Sequence, residues 1–188
     1  MADTREVILV NEQDEEIGTM EKMEAHRKAL LHRAFSIFIF NSKGEMLLQQ
    51  RALHKYHSAG LWTNACCSHP APGEETITAA NRRLIEEMGF STPLEKLFDF
   101  TYKSHYDNGL TEHEFDHVYT GTFAGVIKPD SEEVQDYCFK SLDAIESSLS
   151  SHPAKYTSWF HIAFPRLKAH MATIQGNAVA ESDIKVQD

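Results

Sequence analysis

The chain has 188 residues, 41% of them hydrophobic and 24% charged, values that belong to a folded globular protein and not to a disordered one. A formal charge of −10 with no basic tract argues against a long nucleic acid as partner, and no apolar run approaches the roughly 18 residues a membrane span needs. Three cysteines cannot all pair, and two are neighbours, so reduced thiols in a cytoplasmic setting are expected. The start, MADTREVILV, lacks a charged leader followed by an apolar stretch, so no secretory signal is expected.

In chain order, REVILV predicts a short strand and NEQDEEIG the polar turn after it. RAFSIFIF, NSKG and EMLLQQR predict a β-hairpin that turns at Gly44. The clearest helix lies between Gly73 and Gly89. Ile77, Ala80, Leu84, Ile85 and Met88 recur there at near-helical spacing, acids are expected in the first turn, and Gly89 ends the helix. KLFDFTYK and EHEFDHVYTGTFAG predict two strands around an Asn108-Gly109 turn, EVQDYCF predicts another, and SLDAIESSL a short capped helix. TSWFHIAFPRLKAHM predicts a helix that Pro165 kinks or restarts. Strands mixed with a few helices indicate α/β or α+β layers, in one domain over residues 1–175 with a polar tail, 176–188, expected to fray.

Three constellations bear on chemistry. In SHPAPGEETITAANRRLIEEMGF, Arg82 and Glu86 share a helix face, as do Arg83 and Glu87. A solvated helix with two ion pairs would look the same. The basic residues Lys22, Arg51 and Lys55, grouped with Arg83, would form one anion pocket in an otherwise acidic chain. In TEHEFDH, Glu112 and Glu114 fall on one face of a strand; in TNACCSHP, the same rule puts Cys67 with His69 and turns Cys66 away. Two adjacent carboxylates repel, and a divalent ion would offset that; His32 and His69 could join them at such a site, while an edge strand guarded by acids is the plain alternative.

The stretch from Ser68 to Gly89 resembles the Nudix box: Glu74, Arg82, Glu86, Glu87 and Gly89 fall on box positions. Ser68 replaces the initial glycine, and Arg83 stands where the box has a metal-binding glutamate. LLHRAFS, WTNACCSHP, TYK, EHE and Trp159, in that order, extend the resemblance to the type 1 isopentenyl-diphosphate isomerases, from TMEK to YTSWF.

The resemblance implies a Nudix-type mixed β-sheet sandwiched between helices, and an enzyme that interconverts isopentenyl and dimethylallyl diphosphate for isoprenoid synthesis. It implies Cys67, Glu114, Tyr102 and Trp159 as catalytic residues, and Lys22, Arg51, Lys55 and Arg83 as contacts to the diphosphate. His26, His32, His69, Glu112 and Glu114 would hold a divalent ion (Mn, Zn or Mg), and Glu87 a Mg²⁺ accompanying the substrate. The spacing of six between His26 and His32 is one shorter than the bacterial pattern. Nearby cations would lower the Cys67 thiol. A flavin is not expected, nor a nucleic-acid or membrane partner; the partner is a small prenyl diphosphate, and the chain a monomer or homodimer. The competing reading is a Nudix hydrolase of a nucleoside or prenyl diphosphate, against which Arg83 and Cys67 both count.

Overall fold

The computed structural model describes residues 5–184. β1 (Glu6–Val10) and β2 (Glu16–Glu21) form an antiparallel pair. Its turn is organised by Asn11, whose Oδ1 accepts from the backbone N–H of Gln13 and of Glu15, both at 3.0 Å. A six-residue helix follows, α1 (Lys22–Arg27). It is too short to show a periodic apolar face. Its signal is the Glu21 carboxylate, which accepts from the N–H of Met23 and Glu24 at the helix start.

β3 (His32–Phe40) and β4 (Met46–Arg51) turn around Asn41 in the same way as the first pair. The expected hairpin exists only at its base, where Phe40 faces Met46. Beyond that the two strands part, and the segment β5 (Trp62–Thr63) to β6 (Cys66–Ser68) fills the fork, β5 on β4 and β6 on β3. The buried amide of Asn64 donates to the carbonyls of Ile37 and Cys66, and Gln49 donates to that of Ala65; these bonds take the place of a regular ladder.

Helix α2 (Thr76–Met88) ends as expected at Gly89, which has φ 74°. A Cβ there would lie 2.2 Å from the Lys128 carbonyl oxygen, so glycine is required for contact as well as conformation. Two expectations for this helix are corrected. The acids Glu74 and Glu75 precede the first turn instead of lying in it. The buried face carries Ala79, Ala80, Arg83, Leu84, Glu87 and Met88, while Ile77 and Ile85 are exposed. The apolar stripe is displaced because a charged pair shares the inward face.

β7 (Glu95–His105) and β8 (Thr111–Thr122) pair across the Asn108-Gly109 turn, with Gly109 at φ 80°. β8 then runs parallel to β3 over the whole length of β3, and β9 (Val134–Lys140) completes the sheet beside β4. α3 (Leu142–Ser151) is capped by Ser141, whose Oγ accepts from the Ala144 N–H. A 3₁₀ turn at Pro153–Lys155 leads to α4 (Ser158–Ile184), which runs through Pro165 as one element. The expected tail from 176 overlaps that helix to Ile184; residues 185–188 lie outside the described residues.

The mixed sheet thus has a core on each face. On one side Phe35, Ile37 and Cys66 meet Ala80, Leu84 and Met88 of α2. On the other Phe38, Leu48 and Val118 meet Phe160, Phe164 and Leu167 of α4. Each large side chain so buried contributes about 1.5–3 kcal/mol. No helix among the described residues is long and apolar enough to cross a membrane.

Candidate active site

A cavity of about 860 Å³ takes lining from both layers and from α1. Seven lysines and arginines line it against five glutamates, so it is locally basic in a chain of charge −10. An anion is favoured there, against the negative balance of the chain as a whole.

At one wall three imidazoles converge. His26 lies in the last turn of α1 and His32 opens β3, and both are fully buried. A carbonyl oxygen can only accept, so Lys22 O at 2.6 Å and Leu30 O at 2.8 Å fix a hydrogen on Nδ1 of His26 and His32 respectively. Each Nε2 then carries a lone pair, and neither has a hydrogen-bond partner among the described residues. One ligand atom from each of His26, His32, His69 and Glu114 lies within 4.8 Å of all the others. Three imidazoles and a carboxylate in that space are a donor set that suits a divalent first-row ion, and the two orphaned Nε2 atoms fit the same use. The short His26–His32 spacing still brings the rings together, with centroids 4.8 Å apart, because α1 folds back on the start of β3.

Glu112, expected beside Glu114 as a further ligand, falls outside this group. Its Oε1 is 3.2 Å from Nε2 of the buried His57, and its Oε2 accepts from Tyr106 at 2.7 Å. The Tyr102 hydroxyl stands between the two acids, 2.6 Å from Glu114 and 3.1 Å from Glu112. Burial, then the Glu114 charge, raises the Glu112 carboxyl to about 8. Burial would raise Glu114 too, but the close imidazoles of His32 and His69 hold it well below the ordinary carboxylate value. The two neighbours are therefore driven apart, one toward the acid and one toward the carboxylate.

Cys67 sits opposite. At Ser36, strand β3 pairs with β6 on one edge and with β8 on the other, bringing Cys67 beside Ser36 on the first; further along the second edge Glu114 lies beside His32. His32 and Ser36 are four apart on one strand and share a face, so thiol and carboxylate reach one cavity from the two sides of β3. Cys66 points the other way into the core, as expected. The expectation that cations lower the Cys67 thiol is corrected. Burial raises it most, Asp116 raises it further, and hydrogen bonds with Ser36 and Asn64 only partly offset this. The Asn64 amide spends both hydrogens on backbone carbonyls, so only its oxygen faces Cys67, accepting from Sγ at 3.1 Å.

Lys22, Arg51, Lys55 and Arg83 all line the same cavity. Arg83 is held by Glu86 and Glu87, both at 2.6 Å, and Gln49 takes the other oxygen of Glu87 at 3.1 Å. The helix pairs are thus not equivalent: Arg82–Glu86 is at the surface, Arg83–Glu87 is buried. Arg51 has a buried Nε without a hydrogen-bond partner among the described residues, and its guanidinium lies 5.2 Å from the Trp159 ring centre. Trp159 is both a core residue and a wall of the cavity.

Sequence reasoning missed His57, Tyr106, Ser36, Asn64, Asp116 and Glu133. His57 stacks on Tyr106 with centroids 4.7 Å apart and is pushed down to about 2 by burial and Arg51. Its only signal was loop position among QQRALHKYH. The titrating groups give a stability prediction for the metal-free protein. His26, His57 (about 2) and His69 (about 3) bind fewer protons folded than unfolded, so their contribution is present above pH 6.5 and is lost as pH falls. Glu112, at about 8, has the opposite sign: stability falls as pH rises from about 4.5 to 8. Melting of the chelated protein is therefore expected to peak near pH 6.5. Glu112→Gln is expected to lessen the loss on the alkaline side by about 1.4 kcal/mol per pH unit in melts taken from pH 5 to 9, leaving the part that the buried Asp116 carboxyl, also raised, contributes with the same sign.

Comparison with known proteins places these features. A NUDIX domain model matches residues 30–160. A Pectobacterium atrosepticum protein named isopentenyl-diphosphate Delta-isomerase is 52% identical over 162 residues, covering 86% of this chain and 90% of its own length. A Serratia proteamaculans protein of the same name is 50% identical, covering 82% and 86%. Among solved structures, DR0079 from Deinococcus radiodurans superposes with a TM-score of 0.72 at 18% identity, over 86% of this chain and 98% of that one. The MutT protein from Methanosarcina mazei Go1 gives 0.62 at 20%, over 74% and 94%. These two likenesses speak for the fold alone.

Proposed function

As a member of the NUDIX family and, within it, of the isopentenyl-diphosphate Delta-isomerases, the chain interconverts isopentenyl and dimethylallyl diphosphate, and we propose that Cys67 and Glu114 carry the two proton transfers. Moving the double bond means adding a proton at the terminal methylene, which leaves a tertiary cation, and removing one from the carbon nearer the diphosphate. One donor and one acceptor are needed within hydrogen-bond reach of the alkene. The reaction is reversible, so each group is the donor in one direction and the acceptor in the other.

The observation that carries this reading is the meeting of Cys67 and Glu114 in one basic cavity from opposite edges of β3. Burial keeps Cys67 a thiol at neutral pH in the substrate-free chain, which suits a group that has a proton to give. Tyr102 donates to Glu114 and stands ready to relay its proton. Trp159 offers an aromatic face to the carbocation, worth about 2 kcal/mol or more away from water. Lys22, Arg51, Lys55 and Arg83 take the diphosphate and hold the short hydrocarbon in register.

His26, His32, His69 and Glu114 would hold Mn, Zn or Mg, and such an ion would fix Glu114 in place and favour its ionised form. Glu112 serves this centre from outside, through Tyr102. Glu87 would take Mg²⁺ arriving with the diphosphate, exchanging partners it now finds in Arg83 and Gln49. Unpaired Cys66, Cys67 and Cys138 support a reducing, cytoplasmic setting.

Incubation with isopentenyl diphosphate and Mg²⁺ in deuterated water tests the whole reading. The allylic product is expected, with deuterium in its terminal methyl group. Phosphate release without allylic product would overturn the proposal in favour of a hydrolase.

A further inference from the structure

Glu133 belongs to none of the motifs, yet it lies where the diphosphate is expected. The loop before β9 closes the end of α2: the N–H groups of Lys128 and Asp130 donate to the carbonyls of Met88 and Glu87. The same loop continues to Glu133, whose N–H donates to Asp130 O and whose carbonyl accepts from Ala52 N–H, each at 3.0 Å. Its backbone is thereby pinned to the loop that closes α2 and to Ala52, just past the end of β4. Its side chain lines the cavity and spans two cations. Oε2 accepts from Lys55 Nζ, and Oε1 lies 3.6 Å from Arg83 Nη2. Lys55 and Arg83 are two of the four cations assigned above to the diphosphate.

We propose that Glu133 is a resident anion, a specificity-determining residue that fills the phosphate seat of the substrate-free enzyme and must be displaced by whatever binds there. The inference rests on the assignment of Lys55 and Arg83 to the diphosphate. Arg83 keeps Glu86 and Glu87 as counter-ions, but Lys55 beside it is paired with Glu133, and without that carboxylate the two cations would repel each other and take up small anions indiscriminately. A built-in carboxylate offsets that repulsion and sets a threshold. An incoming carboxylate exchanges like for like and gains little. A diphosphate brings more charge and more oxygens, so it gains on exchange. Once displaced, Glu133 needs only to turn its side chain, because its backbone bonds are independent of the seat.

The test is calorimetric titration of the metal-loaded, full-length chain with inorganic pyrophosphate and with succinate. Glu133→Gln keeps the shape and removes the charge. It is expected to tighten pyrophosphate by about tenfold, the worth of one charged hydrogen bond, and to bring succinate binding up by a similar factor. Unchanged or weaker pyrophosphate binding overturns the inference. So does weakening confined to solutions with added Mg²⁺, which would make Glu133 a holder of the metal. Glu133→Asp withdraws the charge by one methylene and is expected to give a smaller gain of the same sign; it carries the test if the glutamine variant fails to fold. Lys55→Met separates the two levels. If it leaves pyrophosphate binding unchanged, the diphosphate assignment itself fails; if it weakens binding while Glu133→Gln does not tighten it, that assignment stands and the resident anion falls.

Discussion

Cys67→Ala is expected to lower turnover by about 10²- to 10⁴-fold, the usual weight of one acid–base group, while KM and metal content stay near native. The side chain faces the cavity and touches Ser36 and Asn64, so its loss removes a proton carrier and little packing. The neighbouring substitution is the control. Cys66 is fully buried against α2, and Cys66→Ala is expected to cost about 1 kcal/mol of stability while leaving turnover intact. Steady-state kinetics and melting curves on the two variants check both statements. Native turnover in Cys67→Ala would remove the thiol from the reaction.

Arg83→Glu is expected to raise KM by about 10²-fold or more, since it replaces a charged hydrogen-bond donor by a repelling carboxylate. It is also expected to cost about 3–5 kcal/mol of stability, because Glu87 loses its cation in a buried pair, while Glu86 and Glu133 each keep one other cation, Arg82 and Lys55. Glu87→Gln is milder. It keeps a hydrogen-bonding group beside Arg83 and Gln49, and a KM increase of about tenfold is expected. An unchanged KM in both variants, each shown folded by its melting curve, would dissolve the proposed diphosphate clamp.

Period-two alternation placed the strands and the parity of the site. It separates Cys66 from Cys67, and it turns His113 toward the Ala29 carbonyl and away from the two glutamates that flank it. Gly89 and the Asn108-Gly109 turn were legible for the same reason: each needs a backbone conformation that few residues adopt. The helix stripe misled at Ile77 and Ile85 because periodicity counts apolar residues and is blind to a buried ion pair on the same helix. α1 escaped because one and a half turns carry no period. His57 and Glu133 escaped because they act through partners far away in the chain, and Tyr106 because it sits at the turn after β7, where alternation no longer says which way a side chain points.

The parallel ladder between β3 and β8 has a consequence for how the enzyme is loaded. It joins residues such as Phe38 and Thr120, 82 positions apart, and Glu114 reaches the three imidazoles only through it. Long-range pairing of this kind is among the last to form and slows folding. A half-made chain leaving the ribosome therefore has no complete nest for an ion, unlike small zinc modules whose nearby ligands fold around their metal. An ion held by this set, as proposed, is therefore loaded after folding. On the proposed ligand set, a cell starved of the ion would accumulate a finished, idle enzyme ready to be filled, and not a pool of unfolded chain awaiting degradation.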